Sequence, residues 1–324
     1  MIDPQAKALL DLLTSRNAPP LYANDAVTAR YLYRDRRGLT QPDAEAVEHH
    51  QDHLIHVPAT AETPAAQIAL REYRPLRPTS QQSLDERPHN GPALVYYHGG
   101  GWTIGDLETH DVLCRSLANR SGCVVLAVDY RLGPEHPFPA AFYDAVAAFQ
   151  WVAEHAHPLG VDPQRIAVGG DSAGGNLAAA VCLALRGAHH RPAYQLLIYP
   201  ATDLRAIAPS HTSNGSGYLL DSASIQWFTK NYLRSTEDAS DWRASPALAP
   251  AFSDLPPALV LTAGYDPLRD EGREYADTLS RAGVPCEYLC FERQIHGFIT
   301  MGRILREADT AIEVCASALR RALT

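Results

Sequence analysis

Arg165-Ile166-Ala167-Val168-Gly169-Gly170-Asp171-Ser172-Ala173-Gly174-Gly175-Asn176-Leu177-Ala178-Ala179-Ala180-Val181-Cys182-Leu183-Ala184-Leu185 is the stretch that decides how this chain is read. Ile166 and Val168 lie in a short apolar run that predicts a strand over Arg165 to Val168. Asn176 to Leu185 is rich in strong helix formers. Ser172 therefore falls on a very tight strand-to-helix turn. Such a turn holds the serine in an unfavourable backbone conformation, and its neighbours must be almost free of side chain for the segments to approach. Gly170 and Gly174 meet that need. The hydroxyl then projects from the carboxyl edge of a sheet, and the N–H of Ala173 points outward at the positive end of a helix.

The pattern Gly-x-Ser-x-Gly is weak alone, because glycine-rich loops produce it by chance. A second motif strengthens it. Ala93-Leu94-Val95-Tyr96-Tyr97 reads as a buried strand and His98-Gly99-Gly100-Gly101-Trp102 follows at once. Three successive glycines cost backbone entropy, so such a loop usually exposes N–H groups to a ligand or to another segment. An oxyanion hole has that requirement. A flexible hairpin turn is the bland alternative, and the order strand, His-Gly-Gly-Gly, elbow serine argues against it.

A serine nucleophile also needs a base and a group to orient the base, since a free hydroxyl is almost never ionised near neutral pH. Pro256 to Gly264 is a further apolar strand candidate, followed by Asp266-Pro267-Leu268-Arg269-Asp270-Glu271-Gly272. Asp266 lies nearest the strand end. Asp270 and Glu271 fit better as the first turn of the next helix, where carboxylates stabilise the dipole. Pro285 to Phe291 reads as another strand, and His296-Gly297-Phe298 sits in the loop after it. That position singles out His296 among 14 histidines. The pattern is that of a serine hydrolase.

With these motifs in hand, the chain resembles the hormone-sensitive-lipase-like family of α/β-hydrolases, the bacterial esterases of the Gly-Asp-Ser-Ala-Gly subgroup. The resemblance extends to Gly105-Asp106-Leu107-Glu108-Thr109-His110-Asp111, to Tyr130-Arg131-Leu132-Gly133-Pro134-Glu135-His136-Pro137-Phe138-Pro139-Ala140-Ala141, to Tyr218-Leu219-Leu220 and to Ala244-Ser245-Pro246. It implies that Ser172, Asp266 and His296 are a catalytic triad and that the N–H groups of Gly100, Gly101 and Ala173 form the oxyanion hole. It implies a helical cap over the site and leaves open a homodimer through the last strand and helix. Two departures stand out: Gly133 where the family often has alanine, and Arg293-Gln294 in place of a small-residue turn before His296.

Composition agrees. A chain of 324 residues with 46% hydrophobic content can bury one large core and a smaller unit. A net charge of -9 argues against nucleic acid or anionic membrane as partner. No stretch of about 18 apolar residues occurs, so no membrane span is expected. The start, Met1-Ile2-Asp3-Pro4-Gln5, lacks the basic and apolar regions of a secretory signal, which points to the cytoplasm. Cys114, Cys123, Cys182, Cys286, Cys290 and Cys315 show no metal-type spacing and read as buried thiols.

Alternating strand and helix signals from about Val95 onward imply an α/β class with a mostly parallel central sheet flanked by helices. Helices are predicted near Glu108 to Ala118, Ala141 to Ala156, Ala173 to Leu185, Glu271 to Ala282 and Arg306 to Leu323. The opening breaks this rhythm, with a helix around Pro4 to Arg16 and charged helical material up to Glu48. The division is 1–50 as the first part of the cap, 51–203 and 233–324 as the catalytic domain, and 204–232 as the second part of the cap. Thr79 to Gly91 reads as a solvated connector.

Three clusters carry competing readings. His49, His50, His53 and His56 beside Glu48 and Asp52 would make a metal site if His49 and His53 shared a helix face; the alternation of Leu54, Ile55 and Val57 favours a strand and no metal. Glu135 and His136 could pair as acid and base, but Gly133, Pro134, Pro137 and Pro139 around them favour a rigid turn behind the oxyanion loop. Trp102 and Tyr218 either line the substrate pocket or pack.

The reading is a carboxylesterase for uncharged short- to medium-chain acyl esters, using an acyl-enzyme and no cofactor or metal. Amide or carbamate hydrolysis is the rival within the same mechanism, and a non-catalytic small-molecule receptor or a zinc hydrolase the rivals outside it. Charges at Arg30, Arg34, Asp35, Arg36 and Arg37 interrupt the first segment, so an apolar lid for work at an oil interface is not expected.

Overall fold

The fold is that of a computed structural model, which describes residues 1–16, 19–76 and 90–324. The connector expected at Thr79 to Gly91 falls almost wholly outside the described residues. Along the chain run α1 (Pro4–Ser15), α2 (Ala26–Thr40), β1 (His49–Val57), β2 (Ala66–Arg74), β3 (Gly91–Tyr97), α3 (Leu107–Ser121), β4 (Val124–Asp129), α4 (Ala140–Glu154) and β5 (Val161–Asp171). There follow α5 (Ala173–Ala184), β6 (Tyr194–Ile198), the single turn α6 (Ser210–Ser213), α7 (Ser222–Tyr232), β7 (Ala258–Tyr265), α8 (Arg269–Arg281), β8 (Cys286–Ile295) and α9 (Glu307–Ala322).

The strands form an 8-stranded sheet in the order β1-β2-β4-β3-β5-β6-β7-β8. Pairing from β4 to β8 is parallel, while β2 lies antiparallel to both β1 and β4. The middle of each central strand is mostly apolar because both faces are covered. Alternate residues feed opposite cores. Val95, Tyr97 and Val168 pack with Phe149 of α4, Leu177 of α5 and Tyr275 of α8, whereas Leu94, Tyr96 and Ala167 pack with Leu9 of α1, Leu117 of α3 and Leu319 of α9. After β3 the chain steps outward to β4, then returns to place β5 on the other side of β3. The crevice at such a reversal, at the carboxyl ends of the strands, is where open α/β sheets bind ligands. The elbow serine and the triple-glycine loop both begin there.

Helix starts follow local chemistry. Asp3 caps α1 through the N–H groups of Gln5 and Ala6, with Pro4 in the first position. Asp106 and Thr109 form a reciprocal capping box on α3, which ends at Gly122 in the left-handed region. Charged helical material does not reach Glu48: α2 stops at Thr40, and Gln41 turns extended ahead of Pro42, because the residue before a proline avoids the helical region. β1 then begins at His49, inside the 1–50 segment. Strand β2 was not anticipated.

Candidate active site

Ser172 closes β5 and opens α5 with φ 57 and ψ -117, a conformation that costs a non-glycine residue on the order of 1–3 kcal/mol. Its surroundings impose it. The Ser172 N–H donates to the Ile198 carbonyl at 2.8 Å, and its own carbonyl accepts from Asn176 at 3.0 Å and Ala201 at 3.3 Å. A Cβ on Gly170 or Gly174 would collide with the Tyr97 carbonyl of β3, so both positions need glycine for close approach. Asn176 in turn donates to the Ala201 and Ala244 carbonyls at 2.8 and 2.7 Å, which ties the elbow helix to the Ala244-Ser245-Pro246 turn.

His296 follows β8 directly. Its Nε2 lies 3.0 Å from Ser172 Oγ, and its Nδ1 lies 2.7 Å from Asp266 Oδ2. Asp266 is fully buried, and its second oxygen accepts the Leu268 N–H at 2.8 Å. The Asp266 carbonyl accepts from Asn214 at 3.1 Å, which fixes the loop from the α6 side. The Tyr199 ring packs 4.6 Å from the imidazole. Asp270 goes elsewhere, to Arg269 at 2.7 Å. Arg293-Gln294 makes no unusual turn: β8 runs through both, the Arg293 carbonyl accepts the Asp3 N–H at 2.9 Å, and Gln294 is fully buried.

Gly100 and Gly101 turn with φ 120 and 56. A Cβ on Gly100 would strike the Ile104 carbonyl, and one on Gly101 the Phe228 ring of α7. Among the described residues none accepts a hydrogen bond from the N–H of Gly100, Gly101 or Ala173; for Ala173 this follows from its place in the first helical turn. These three donors and Ser172 share one cavity of about 760 Å³, within the size range of small-molecule sites.

A buried polar network lies beneath. Asp171 accepts from the Tyr96 hydroxyl at 2.7 Å and the Gly99 N–H at 2.9 Å, and pairs with His110 at 3.2 Å. Burial alone would raise the Asp171 carboxyl, but the charge and hydrogen bond of His110, with Tyr96, outweigh it and hold the group below its ordinary value. His98 stacks on Tyr130 at 4.3 Å, and burial, helped by His110, pushes its imidazole down to about 4. The residue before the nucleophile thus ties the triple-glycine loop to the elbow.

The turn after Tyr130 braces the same loop. Gly133 N–H donates to the Trp102 carbonyl at 2.8 Å, and Arg30 of α2 spans the Thr103 and Gly133 carbonyls, both at 2.8 Å, while pairing with Glu135. Glu135 and His136 are exposed, and neither borders the cavity. Arg34 pairs with Asp106 and Arg37 with Glu108. These α2 charges therefore fasten the first segment to the sheet domain. Spacing alone gave no sign of it, because the partners are about 70 to 105 residues away.

Both pocket aromatics do two jobs. Trp102 is buried and stacks on Tyr232 at 4.3 Å, and Tyr218 packs on Tyr265 at 5.1 Å, yet each also borders the cavity. Glu271 is more than a helix-end charge: fully enclosed, it accepts the Thr202 N–H at 2.7 Å and meets His211 at 2.5 Å. Burial raises its carboxyl above the ordinary value, against the pull of His211. The histidines of 49–56 lie on strand β1, so the helix spacing does not apply, and His53 pairs with Glu72 at 2.8 Å. Among the described residues no group of three His, Cys, Asp or Glu side chains is placed to hold a metal.

A family model described as the alpha/beta hydrolase fold matches residues 94–300. The chain belongs to the hormone-sensitive-lipase-like esterases of the α/β-hydrolase superfamily. It is 40% identical to the carboxylic ester hydrolase LipN of Mycobacterium tuberculosis, over all of this chain and 84% of that one. It is 37% identical to an ethyl acetate hydrolase of Pseudomonas putida, over 99% of each. Among solved structures it superposes on an ester hydrolase from the metagenome of Lake Arreo, solved with a derivative of bipyridine phosphonate, with TM-score 0.91, 42% identity and 99% of both chains covered. No described helix of this family member is long and apolar enough to cross a membrane.

Proposed function

We propose that the protein is a carboxylesterase that works through an acyl-enzyme on short- to medium-chain esters. The observation that carries this is the continuous link Asp266, His296, Ser172, with distances of 2.7 and 3.0 Å, beside the N–H groups of Gly100, Gly101 and Ala173, which have no acceptor among the described residues. Ser172 Oγ attacks the ester carbonyl while His296 Nε2 takes its proton, and Asp266 keeps the other ring nitrogen protonated and offsets the charge that forms. Gly100, Gly101 and Ala173 donate to the oxyanion, being already oriented at no cost during reaction. His296 then returns the proton to the leaving alkoxide. Water enters, His296 takes its proton as the water oxygen attacks the acyl carbonyl, and that proton passes to Ser172 Oγ as its bond to the acyl group breaks and the acid leaves.

In this reading 1–50 and 204–232 form the cap. Residues of α1, α2 and α7 border the same cavity as Ser172, and Trp102 and Tyr218 contact substrate. The six free thiols, four of them buried, fit a reducing cytoplasm. A homodimer through the outer edge of β8, where Tyr288 and Leu289 are each 38% exposed, is the assembly that goes with it.

The test is covalent. An alkyl phosphonate should label one residue, Ser172, and Ser172→Ala should stay folded, lose the label and lose about four to six orders of magnitude of ester turnover. Undiminished labelling of that variant would overturn the reading.

A further inference from the structure

One face of α2 looks into the cavity. Tyr33, Arg36, Arg37 and Thr40, spaced i, i+3, i+4 and i+7, all border it. Arg37 is engaged by Glu108. Arg36 is half-buried, and among the described residues its guanidinium has no hydrogen bond, ion pair or ring contact. The Tyr33 hydroxyl, one turn away, likewise has no partner there. Arg36 and Tyr33 thus stand as unused donors on the wall of a pocket whose lining is mainly apolar, with the exposed Arg16 at the end of α1 also on its border.

The acidic groups on that wall do not answer them. Asp203 pairs with Arg205 at 2.6 Å, Glu271 with His211, Asp171 with His110 and the Tyr96 hydroxyl, and Asp221 caps α7 through the Ser224 N–H at 2.7 Å. Burial, and then the charges of Asp171 and Asp106, raise the Tyr33 phenol far above its ordinary value, so it stays a neutral donor. The chain as a whole carries -9, but charges beyond about 8 Å are screened at physiological salt, and the local cation decides what binds. A half-buried guanidinium without a partner among the described residues matches a planar carboxylate through two parallel hydrogen bonds and offsets its negative charge.

We propose that the ester this enzyme is built for carries a carboxylate at its far end, held by Arg36 with a second hydrogen bond from Tyr33. This rests on the carboxylesterase reading and replaces the uncharged substrate expected from sequence. The apolar wall takes the methylenes between the ester and the charged end.

Two matched pairs test it. Monoethyl adipate against ethyl hexanoate places the carboxylate on the acyl side, and 6-acetoxyhexanoate against hexyl acetate places it on the alcohol side. The quantity read is the ratio of kcat/KM, charged over neutral, within each pair, which cancels any general loss of folded enzyme. In at least one pair Arg36→Gln should lower that ratio roughly tenfold or more, chiefly through KM, as loss of a charge-assisted pair requires. Arg36→Lys should keep part of the preference, and Tyr33→Phe should lower it less than Arg36→Gln does. Ratios within about twofold of wild type in both pairs would overturn the proposal while leaving ester hydrolysis intact. Absence of turnover on all four esters would instead sink the esterase reading, and this assignment with it.

Discussion

Asp266 and Asp270 are one helical turn apart in sequence, yet only Asp266 reaches His296, at 2.7 Å and with no exposure to solvent. Asp270 accepts from Arg269 instead. Replacing Asp266 by Asn leaves the imidazole without an acceptor for its Nδ1 proton and favours the wrong tautomer. Asp266→Asn should therefore lower kcat by about three to four orders of magnitude. Asp270→Asn should cost about 1 kcal/mol of stability or less, with activity near wild type. Steady-state kinetics and urea unfolding of both variants decide it; reversed effects would move the acid of the triad to Asp270.

Gly174 is a second point of sharp contrast. A methyl group there would overlap the Tyr97 carbonyl, while one at Gly38 would meet nothing within 4 Å. Gly174→Ala should cost at least about 3 kcal/mol and take most of the activity with it. Gly38→Ala, inside α2, should be neutral or stabilising by up to about 1 kcal/mol. Thermal unfolding of the pair checks both.

Acid stability should carry the mark of His98. Its folded pKa is about 4 against an ordinary 6.5, so between those values the unfolded chain binds more protons than the folded one. Stability from this group is whole above about pH 6.5 and is lost as pH falls toward 4, by a total on the order of 3 kcal/mol. Urea midpoints measured from neutral pH downward should fall more steeply for wild type than for His98→Asn. Equal slopes would assign the acid sensitivity to other groups.

Prolonged treatment with a strong chelator should leave ester turnover unchanged, and metal analysis should find well under one equivalent of zinc per chain. Strand geometry gives His49 and His53 no shared helix face, and His53 is committed to Glu72. A chelator-sensitive rate restored by zinc would defeat the serine mechanism.

Chain-length preference should rise and then fall. Each methylene buried in the apolar part of the pocket adds roughly 0.8 kcal/mol until the wall is reached. Among neutral aryl esters the best kcat/KM is expected at about four to eight acyl carbons. The arginines of α2 clamp the first segment through Arg30, Arg34 and Arg37, which disfavours wide opening at an oil surface. Higher activity on emulsified long-chain triglyceride than on dissolved butanoate would refute the closed pocket.

The elbow, the triple-glycine loop and His296 were legible in the sequence because each is local: a few adjacent residues fix a turn, and glycine is demanded wherever backbone must touch backbone. The parallel sheet was legible for the same reason, from apolar runs spaced by helices. Strand β2 and the end of α2 were missed because polar residues such as Gln67, Arg71 and Glu72 interrupt the apolar pattern of that strand and a single proline outweighs helix propensity. What only the tertiary structure decided were pairings across long separations: Arg30 with Glu135 over 105 residues, Glu271 with His211 over 60, and His110 with Asp171 over 61. Strand order and helix phase set those partners, and the same phase left Arg36 and Tyr33 bordering the cavity with no partner among the described residues.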